Sequence, residues 1–394
     1  MLDAVATTAT FGVAGVASMF MAWTIGAGSS GSTPFAPAVG ANAISVMRAA
    51  FVVGLLGLAG AVLQGANVTE AVGAELVRGV AFTPLSATLG LLVAATLVAI
   101  GVFAGYPIAT AFTVTGAMVG VGLASGGAPA WEKYAQIGVL WTLTPFVGGG
   151  IAYATARRLQ SDAAADELVL PALAAVVGAI VANVAFVLLG PPGETASIAT
   201  ATGRALSLPE MPARVAVTGL LAGLFAGLAR YAVERDAVAC KRRMLLGLGG
   251  LVAFSAGGSQ VGLALGPIVP LLDAVDVSVS AALVGGGFGL LVGSWTGAPR
   301  MIKALSRDYS SLTAERSIAA LFPAFIIAQT AVFFGIPVSF NEIIVSTIVG
   351  AGYAGRTGGT SASKMGRTVV AWVLSLATAL ACGYGFTSLV STLA

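Results

Sequence analysis

The chain is a succession of apolar segments, each close to the length that crosses a lipid bilayer. A hydrocarbon core of about 30 Å takes about 20 apolar residues as helix. Runs of that kind lie at 44–65, 85–104, 136–155, 168–190, 213–233, 280–298, 316–334 and 368–391. Four further runs, 5–27, 107–124, 244–265 and 337–355, are apolar but interrupted by Gly, Ser, Thr or Pro, the pattern expected of broken or re-entrant helices. The expected fold is an all-α polytopic membrane protein with about 10–12 membrane segments. Residues 1–9 carry an aspartate and no basic residue, unlike a cleaved leader, and are expected to begin the first span.

Composition agrees. Hydrophobic residues make up 57% of the chain and charged residues 9%, where a soluble domain carries about a quarter of its residues as charges. There is no histidine, which excludes histidine-ligated metals and haem and Ser/His/Asp triads. Cys240 and Cys382 support neither a disulfide framework nor a zinc cluster. No metal site and no cofactor are expected. The net charge of +3 reads as basic cytoplasmic loops rather than as a nucleic-acid surface.

Those loops suggest an orientation. Arg157 and Arg158 end one span, and Arg235, Lys241, Arg242 and Arg243 lie where the next hairpin ends, so both ends are expected on the cytoplasmic side. Arg300, Lys303, Arg307 and Arg316 are expected there too, and the segment 190–212 is expected to be an external loop. The cell membrane is the expected location.

The chain also repeats itself. Gly26-Ala27-Gly28-Ser29 has a counterpart 231 residues later in Gly257-Gly258-Ser259-Gln260, and Gly105-Tyr106-Pro107-Ile108-Ala109 has one 230 residues later in Gly335-Ile336-Pro337-Val338-Ser339. Lys133 and Trp141 match Lys364 and Trp372, again 231 residues apart. The chain therefore divides into a first repeat at 1–155, a linking helical hairpin at 156–243 and a second repeat at 244–394. An odd number of crossings in the first repeat and an even number in the hairpin would make the two copies inverted-topology repeats. That construction is used by secondary transporters, whose ligands bind near the midplane where half-helix ends meet.

A helix broken inside the bilayer leaves free N–H groups that an anion can satisfy, and the positive end of the helix dipole favours the anion without a basic residue. Candidate binding residues on this argument are Gly26, Ala27, Gly28, Ser29 and Ser30 in one copy and Gly257, Gly258, Ser259 and Gln260 in the other. None is charged. Glycine and serine also ease close helix packing, so it is the repetition of the two clusters at one offset that favours binding.

These same residues resemble the inorganic phosphate transporter (PiT) family. Its members carry two copies of a GANDVAN-type motif, each followed by a G-x-P-V-S-T-T-H motif. The stretch Ala253-Phe254-Ser255-Ala256-Gly257-Gly258-Ser259-Gln260-Val261-Gly262-Leu263-Ala264-Leu265-Gly266-Pro267 is similar to the family's second motif without a gap, and Ala22-Trp23-Thr24-Ile25-Gly26-Ala27-Gly28-Ser29 to its first. The resemblance implies an oxyanion permease, adds Thr110, Ser339 and Asn341 to the binding residues, and implies a homodimer by analogy alone.

The departures matter as much. The family aspartates fall on Ser29 and Gln260, the neighbouring asparagines on Gly28 and Ser259, and the motif histidines on Ala256, Phe112 and Glu342. Sodium coupling through the aspartates is therefore not expected. The sulfate permease branch (CysP type) likewise lacks them and has glutamate where Glu342 stands. Glu342 is the one carboxylate expected inside the membrane, where an acid is costly when ionised and suited to carrying a coupling proton; capping a helix near the surface is its structural alternative. Trp23, Trp141 and Trp372 are expected to anchor or pack.

The expected function is secondary transport of an inorganic oxyanion by alternating access. Phosphate follows from the resemblance, with sulfate close behind, and a proton is favoured over sodium. A sulfate or thiosulfate permease and a passive anion channel or uniporter are the alternatives. An enzyme is not expected, because no set of acids, bases or metal ligands converges in an apolar segment.

Overall fold

The computed structural model describes residues 2–66, 68–69, 76–161, 164–191, 194–355 and 361–393. Among them, ten helices are long and apolar enough to cross a membrane. The first part of the chain forms α1 (Leu2–Gly28), the one-turn α2 (Ala36–Gly40), α3 (Val46–Gln64), α4 (Pro84–Ala104), α5 (Thr110–Ala124) and α6 (Trp131–Leu159). A connecting region forms α7 (Ala164–Asn183), α8 (Ile198–Ala205) and α9 (Glu210–Arg235). The last part forms α10 (Ala237–Leu265), α11 (Val279–Thr296), α12 (Ala298–Asp308), α13 (Ala314–Phe334), α14 (Phe340–Tyr353) and α15 (Ala362–Leu393). The only strands among the described residues are two-residue pairs, such as Ala185 and Phe186 against Ser197 and Ala196.

Helix starts follow local chemistry. Thr83 and Ser86 cap each other's backbone N–H at the start of α4, with Pro84 in the first turn. Asp236, Ser278 and Thr313 cap α10, α11 and α13. At the far end of α4 and of α13, Gly105 (φ 69°) and Gly335 (φ 60°) take the left-handed conformation. Tyr106 N–H then reaches Gly101 O (2.8 Å) and Ile336 N–H reaches Ala331 O (3.0 Å), which closes both helices in the same way. Pro107 and Pro337 follow, and two short helices, α5 and α14, start a few residues later.

Packing is reciprocal between the two parts. α1 lies on α11 while α10 lies on α3; α5 lies on α15 while α14 lies on α6; and α1 meets α4 as α10 meets α13. Close crossings depend on glycine. A Cβ on Gly60 would overlap the carbonyl oxygen of Phe254, and one on Gly293 would overlap that of Trp23. With lipid tails as apolar as the side chains, such close van der Waals contact is a main source of association in the bilayer.

One face is marked by ion pairs. Lys241 at the start of α10 bridges Asp166 at the start of α7 (2.7 Å) and Glu315 at the start of α13 (2.8 Å). Lys364 at the start of α15 pairs with Asp308 at the end of α12. The end of α6, the hairpin ends and the basic residues of 300–316 therefore gather at one end of the bundle.

The structure corrects several expectations. The runs 5–27 and 244–265 are not broken: α1 continues to Gly28 and α10 passes through 255–260 to Leu265 as α-helix, followed by a 3-10 segment, Gly266–Leu271. Their glycines serve close packing instead. The runs 107–124 and 337–355 hold short unbroken helices, α5 and α14, and the interruption expected within each lies at its start, at 105–109 and 335–339. The span placed at 168–190 stops at Asn183, and the segment 190–212 contains α8 rather than a plain loop.

Substituting Gly60→Leu or Gly293→Leu should force α3 from α10 or α11 from α1 and cost about 1–3 kcal/mol or more. Gly12→Leu, at a position with open space around it, should leave stability near the parent value. Thermal unfolding of the purified variants in detergent checks both.

Candidate functional site

The interruptions at 105–109 and 335–339 bring two helix N-termini into the interior, and a minority of the candidate residues, Ser29, Thr110, Gln260, Ser339 and Asn341, meet there. Thr110 is the first residue of α5, and Ser339 is the N-cap of α14, accepting from Glu342 N–H at 3.5 Å. Ser29 follows the last turn of α1, and Gln260 lies inside α10. All four are fully buried.

The side chains of Ser29, Thr110 and Gln260 form one network. Ser29 Oγ donates to Gln260 Oε1 (3.0 Å), Thr110 Oγ1 donates to the same oxygen (3.0 Å), and Thr110 Oγ1 lies 3.3 Å from Ser29 Oγ. Gln260 Nε2 donates to Val338 O (2.6 Å). Asn341 Nδ2 donates to Gly28 O (2.9 Å) and Ile108 O (2.6 Å). Ser29 and Gln260, matched by the repeat offset, thus touch directly.

Two indoles hold the loops that carry these residues. Trp141 Nε1 donates to Pro337 O (3.0 Å), and Trp372 Nε1 donates to Pro107 O (2.8 Å). The expectation that they pack or anchor holds for both, but the anchor is the loop of the opposite part of the chain rather than the bilayer interface. Trp23 donates to Thr296 instead.

The remaining candidates divide. Gly26, Ala27 and Gly28 are in the last turns of α1, and Gly257, Gly258 and Ser259 are in the interior of α10, so their peptide groups belong to continuous helices. They let neighbours approach: a Cβ on Gly26 would strike Leu290 O and one on Gly257 would strike Gly57 O. Ser30 Oγ turns back toward Ile25 O at 3.5 Å and does not join the network. Ser259 Oγ is fully buried without a partner, as is Asn341 Oδ1. The free N–H groups expected at the Gly-Ser clusters are found instead at the start of α5. Ala109, the N-cap of α5, supplies no side-chain bond, so the first-turn N–H groups of Thr110, Ala111 and Phe112 have no cap.

Glu342 occupies the first turn of α14 and is 2% exposed. It does not face the network. It lines a cavity of about 690 Å³ between α6, α14 and α15, with Ser346 one turn further along α14 and with Phe112, Trp141 and Trp372. Glu342 Oε2 and Ser346 Oγ are buried there without a partner. Phe112, the positional counterpart of Glu342, stacks on Trp141 at 3.8 Å between ring centroids.

Sequence reasoning missed Gln64 and Gln329. Gln329 Nε2 donates to Ser255 Oγ (2.6 Å) and lies 3.4 Å from Gln64 Oε1, and Gln64 Nε2 donates to Ala185 O (3.1 Å). Each is a single amide in an apolar run with no matching polar residue in the other copy, so the repeat gave no signal for it. Among the described residues no group of three or more His, Cys, Asp or Glu could hold a metal ion.

Comparison with known proteins matches the fold and the motifs. The sequence profile of the phosphate transporter family matches residues 25–383. The chain is 25% identical to the chloroplastic inorganic phosphate transporter 2-1 of Arabidopsis thaliana, over 91% of this chain and 68% of that protein. It is 24% identical to a Pyrococcus abyssi protein named as a phosphate permease, over 92% and 93% of the two chains. A solved structure titled the sodium-dependent phosphate transporter superposes with a TM-score of 0.80 at 21% identity, covering 98% of this chain and all of that one. A helical multi-pass membrane protein whose profile match runs through both motif copies, this chain belongs to the phosphate transporter family.

Proposed function

We propose that the chain is a secondary permease for an inorganic oxyanion, with phosphate as its first substrate and sulfate as a competitor, and that a proton rather than sodium couples transport. The observation that carries this reading is the buried network of Ser29, Thr110 and Gln260 beside two interior helix N-termini. It offers hydroxyls and uncapped N–H groups to an anion. It has no carboxylate of its own to ligate sodium.

The binding set in this reading is Ser29, Thr110, Ser259, Gln260, Ser339 and Asn341, with Gly26, Ala27, Gly28, Gly257 and Gly258 giving close backbone approach. Ser30 contributes as part of the turn after α1. An anion here would take the first-turn N–H groups of α5, where the dipole is positive. Glu342 holds the proton: it is a buried acid beside an unpartnered hydroxyl, in a cavity that none of the binding set lines.

Inverted repeats at 1–155 and 244–394 around a hairpin at 156–243 complete the reading. The reciprocal packing supports them. So does direction: α6 ends, and its counterpart α15 begins, at the end of the bundle marked by Lys241, Glu315 and Lys364. Two copies running in opposite directions give a site that can face either side of the membrane by exchange of equivalent contacts. A passive channel is disfavoured because the network that fills the centre is fully buried.

Relatives matter for the alternative. One similar structure is titled as sodium-dependent, so coupling is the point to test. In proteoliposomes, labelled phosphate uptake should persist when choline replaces sodium and should be driven by an inward proton gradient, with sulfate and thiosulfate competing. A strict sodium requirement would overturn the coupling assignment, and failure to accumulate phosphate against a gradient would overturn the permease.

Two substitutions follow from the geometry. Glu342→Gln should abolish the response to an imposed pH gradient while leaving anion exchange measurable; an unaltered gradient response removes Glu342 from coupling. Gln260→Leu strands Val338 O and takes the acceptor from Ser29 and Thr110, a loss of about 1–3 kcal/mol. Its signature is a raised KM for phosphate, read from initial uptake rates.

A further inference from the structure

A second polar constellation lies off the central network, between α3, α7, α9 and α13. It lines a cavity of about 540 Å³ whose walls carry Gln64, Asn183, Thr218, Gln329 and Thr330 among apolar side chains. Five amide and hydroxyl groups in membrane helices are costly unless they bond something. Part of the bonding is visible. Asn183 Nδ2 donates to Thr218 Oγ1 (2.8 Å), and Arg214 Nη2 approaches Asn183 Oδ1 at 3.5 Å.

The cavity has a direction. Asp166 and Glu315 fix the starts of α7 and α13 at Lys241, so Asn183 and the Gln329–Phe334 turn lie toward the opposite end of the membrane. Arg214, one turn into α9, is at that end, and the floor is Gln64. The side chain of Gln64 covers Gly258: a Cβ on Gly258 would meet Gln64 Cβ at 2.8 Å and Oε1 at 3.5 Å. The next residue is Ser259, whose buried Oγ has no partner. A polar track thus runs from Arg214 past Asn183, Thr218 and Gln329 to the wall of the central site.

The chemistry suits an anion in passage. Gln329 Nε2 donates only to side chains, Ser255 Oγ and weakly Gln64 Oε1, so it can turn to a ligand without stranding a helix carbonyl. Neutral amides bind an oxyanion without trapping it, and Arg214 supplies attraction only at the mouth. The positions matched by the repeat offset are Trp295 for Gln64, Val98 for Gln329 and Thr24 for Ser255. Neither glutamine therefore has an equivalent in the other copy.

We infer that this cavity is the antechamber through which a small tetrahedral oxyanion reaches the central site from the membrane face opposite Lys241, with Gln329 as its principal donor and Arg214 as its gate charge. This inference rests on the permease reading but predicts binding that can be measured without transport.

The test uses a Cys240→Ala/Cys382→Ala background carrying Thr330→Cys or Thr218→Cys in proteoliposomes. A membrane-impermeant cationic methanethiosulfonate should modify either cysteine, and millimolar phosphate or sulfate, but not chloride, should slow the reaction several-fold. Reaction with membrane-permeant maleimide alone would show a lipid-filled groove and overturn the antechamber. So would modification that phosphate and sulfate leave unchanged. Gln329→Leu should raise the KM for phosphate about tenfold, the effect of losing one hydrogen bond to a charged ligand, with maximal rate little changed; an unaltered KM overturns the role of Gln329. If the parent protein shows no uptake while anions still protect the cysteines, the permease reading fails and the binding cavity stands.

Discussion

The structure depends on what happens to peptide groups where two helices are interrupted inside the membrane. No water is available there, and an unpaired carbonyl costs several kcal/mol. The segments 105–109 and 335–339 solve this with side chains brought from elsewhere. Trp372 serves Pro107, Asn341 serves Ile108, Trp141 serves Pro337 and Gln260 serves Val338. Three of these four donors come from the opposite part of the chain. The halves are therefore interdependent, since neither can bury its interruption without the other.

That arrangement explains which features were legible in the sequence. Gly105-Tyr106-Pro107 and Gly335-Ile336-Pro337 announce their turns because only glycine takes the left-handed conformation cheaply and proline cannot continue the helix. Trp141 and Trp372 were legible as a pair through their shared offset, though not as donors to the opposite loop. Gly26-Ala27-Gly28 and Gly257-Gly258 were read as breaks, and they are not. A glycine that admits a neighbouring helix and a glycine that ends its own look alike in one sequence; the carbonyls of Leu290 and Gly57, which decide between them, are distant in the chain. Gln64 and Gln329 were invisible for the same reason. Their meaning lies in Ser255 and Ala185, contacts without a local pattern.

The network also shows how Ser29 and Gln260 fill, without a void, the positions where the family resemblance implies carboxylates. Ser29 and Gln260 differ in size, and the longer amide spans the space, accepting from Ser29 and Thr110 while donating to Val338. A carboxylate at Gln260 could accept the same two hydroxyls but could not donate to Val338 O, which would face a negative charge. The amide is thus matched to this backbone. In the proposed permease the neutral centre leaves electrostatic attraction for an anion to the helix ends.

The two helix ends are not equivalent, and in the proposed permease that difference would supply a physical route to coupling. The first turn of α5 carries Phe112, whereas the first turn of α14 carries Glu342. An ionised carboxylate in a first turn interacts favourably with the helix dipole. It thereby offsets, in electrostatic terms, the positive end of α14, and in the proposed permease it would repel an anion bound at the neighbouring first turn of α5. In the proposed permease, protonation of Glu342 would remove that competition, so that proton binding and oxyanion binding would favour each other, with the coupling the same in both directions by linkage. In the proposed permease the acid need not touch the anion. It needs only to lie at a neighbouring helix end, and the Ser339-Phe340-Asn341-Glu342 turn provides this by placing Asn341 against Ile108 O, just before α5, and Glu342 in the adjoining cavity.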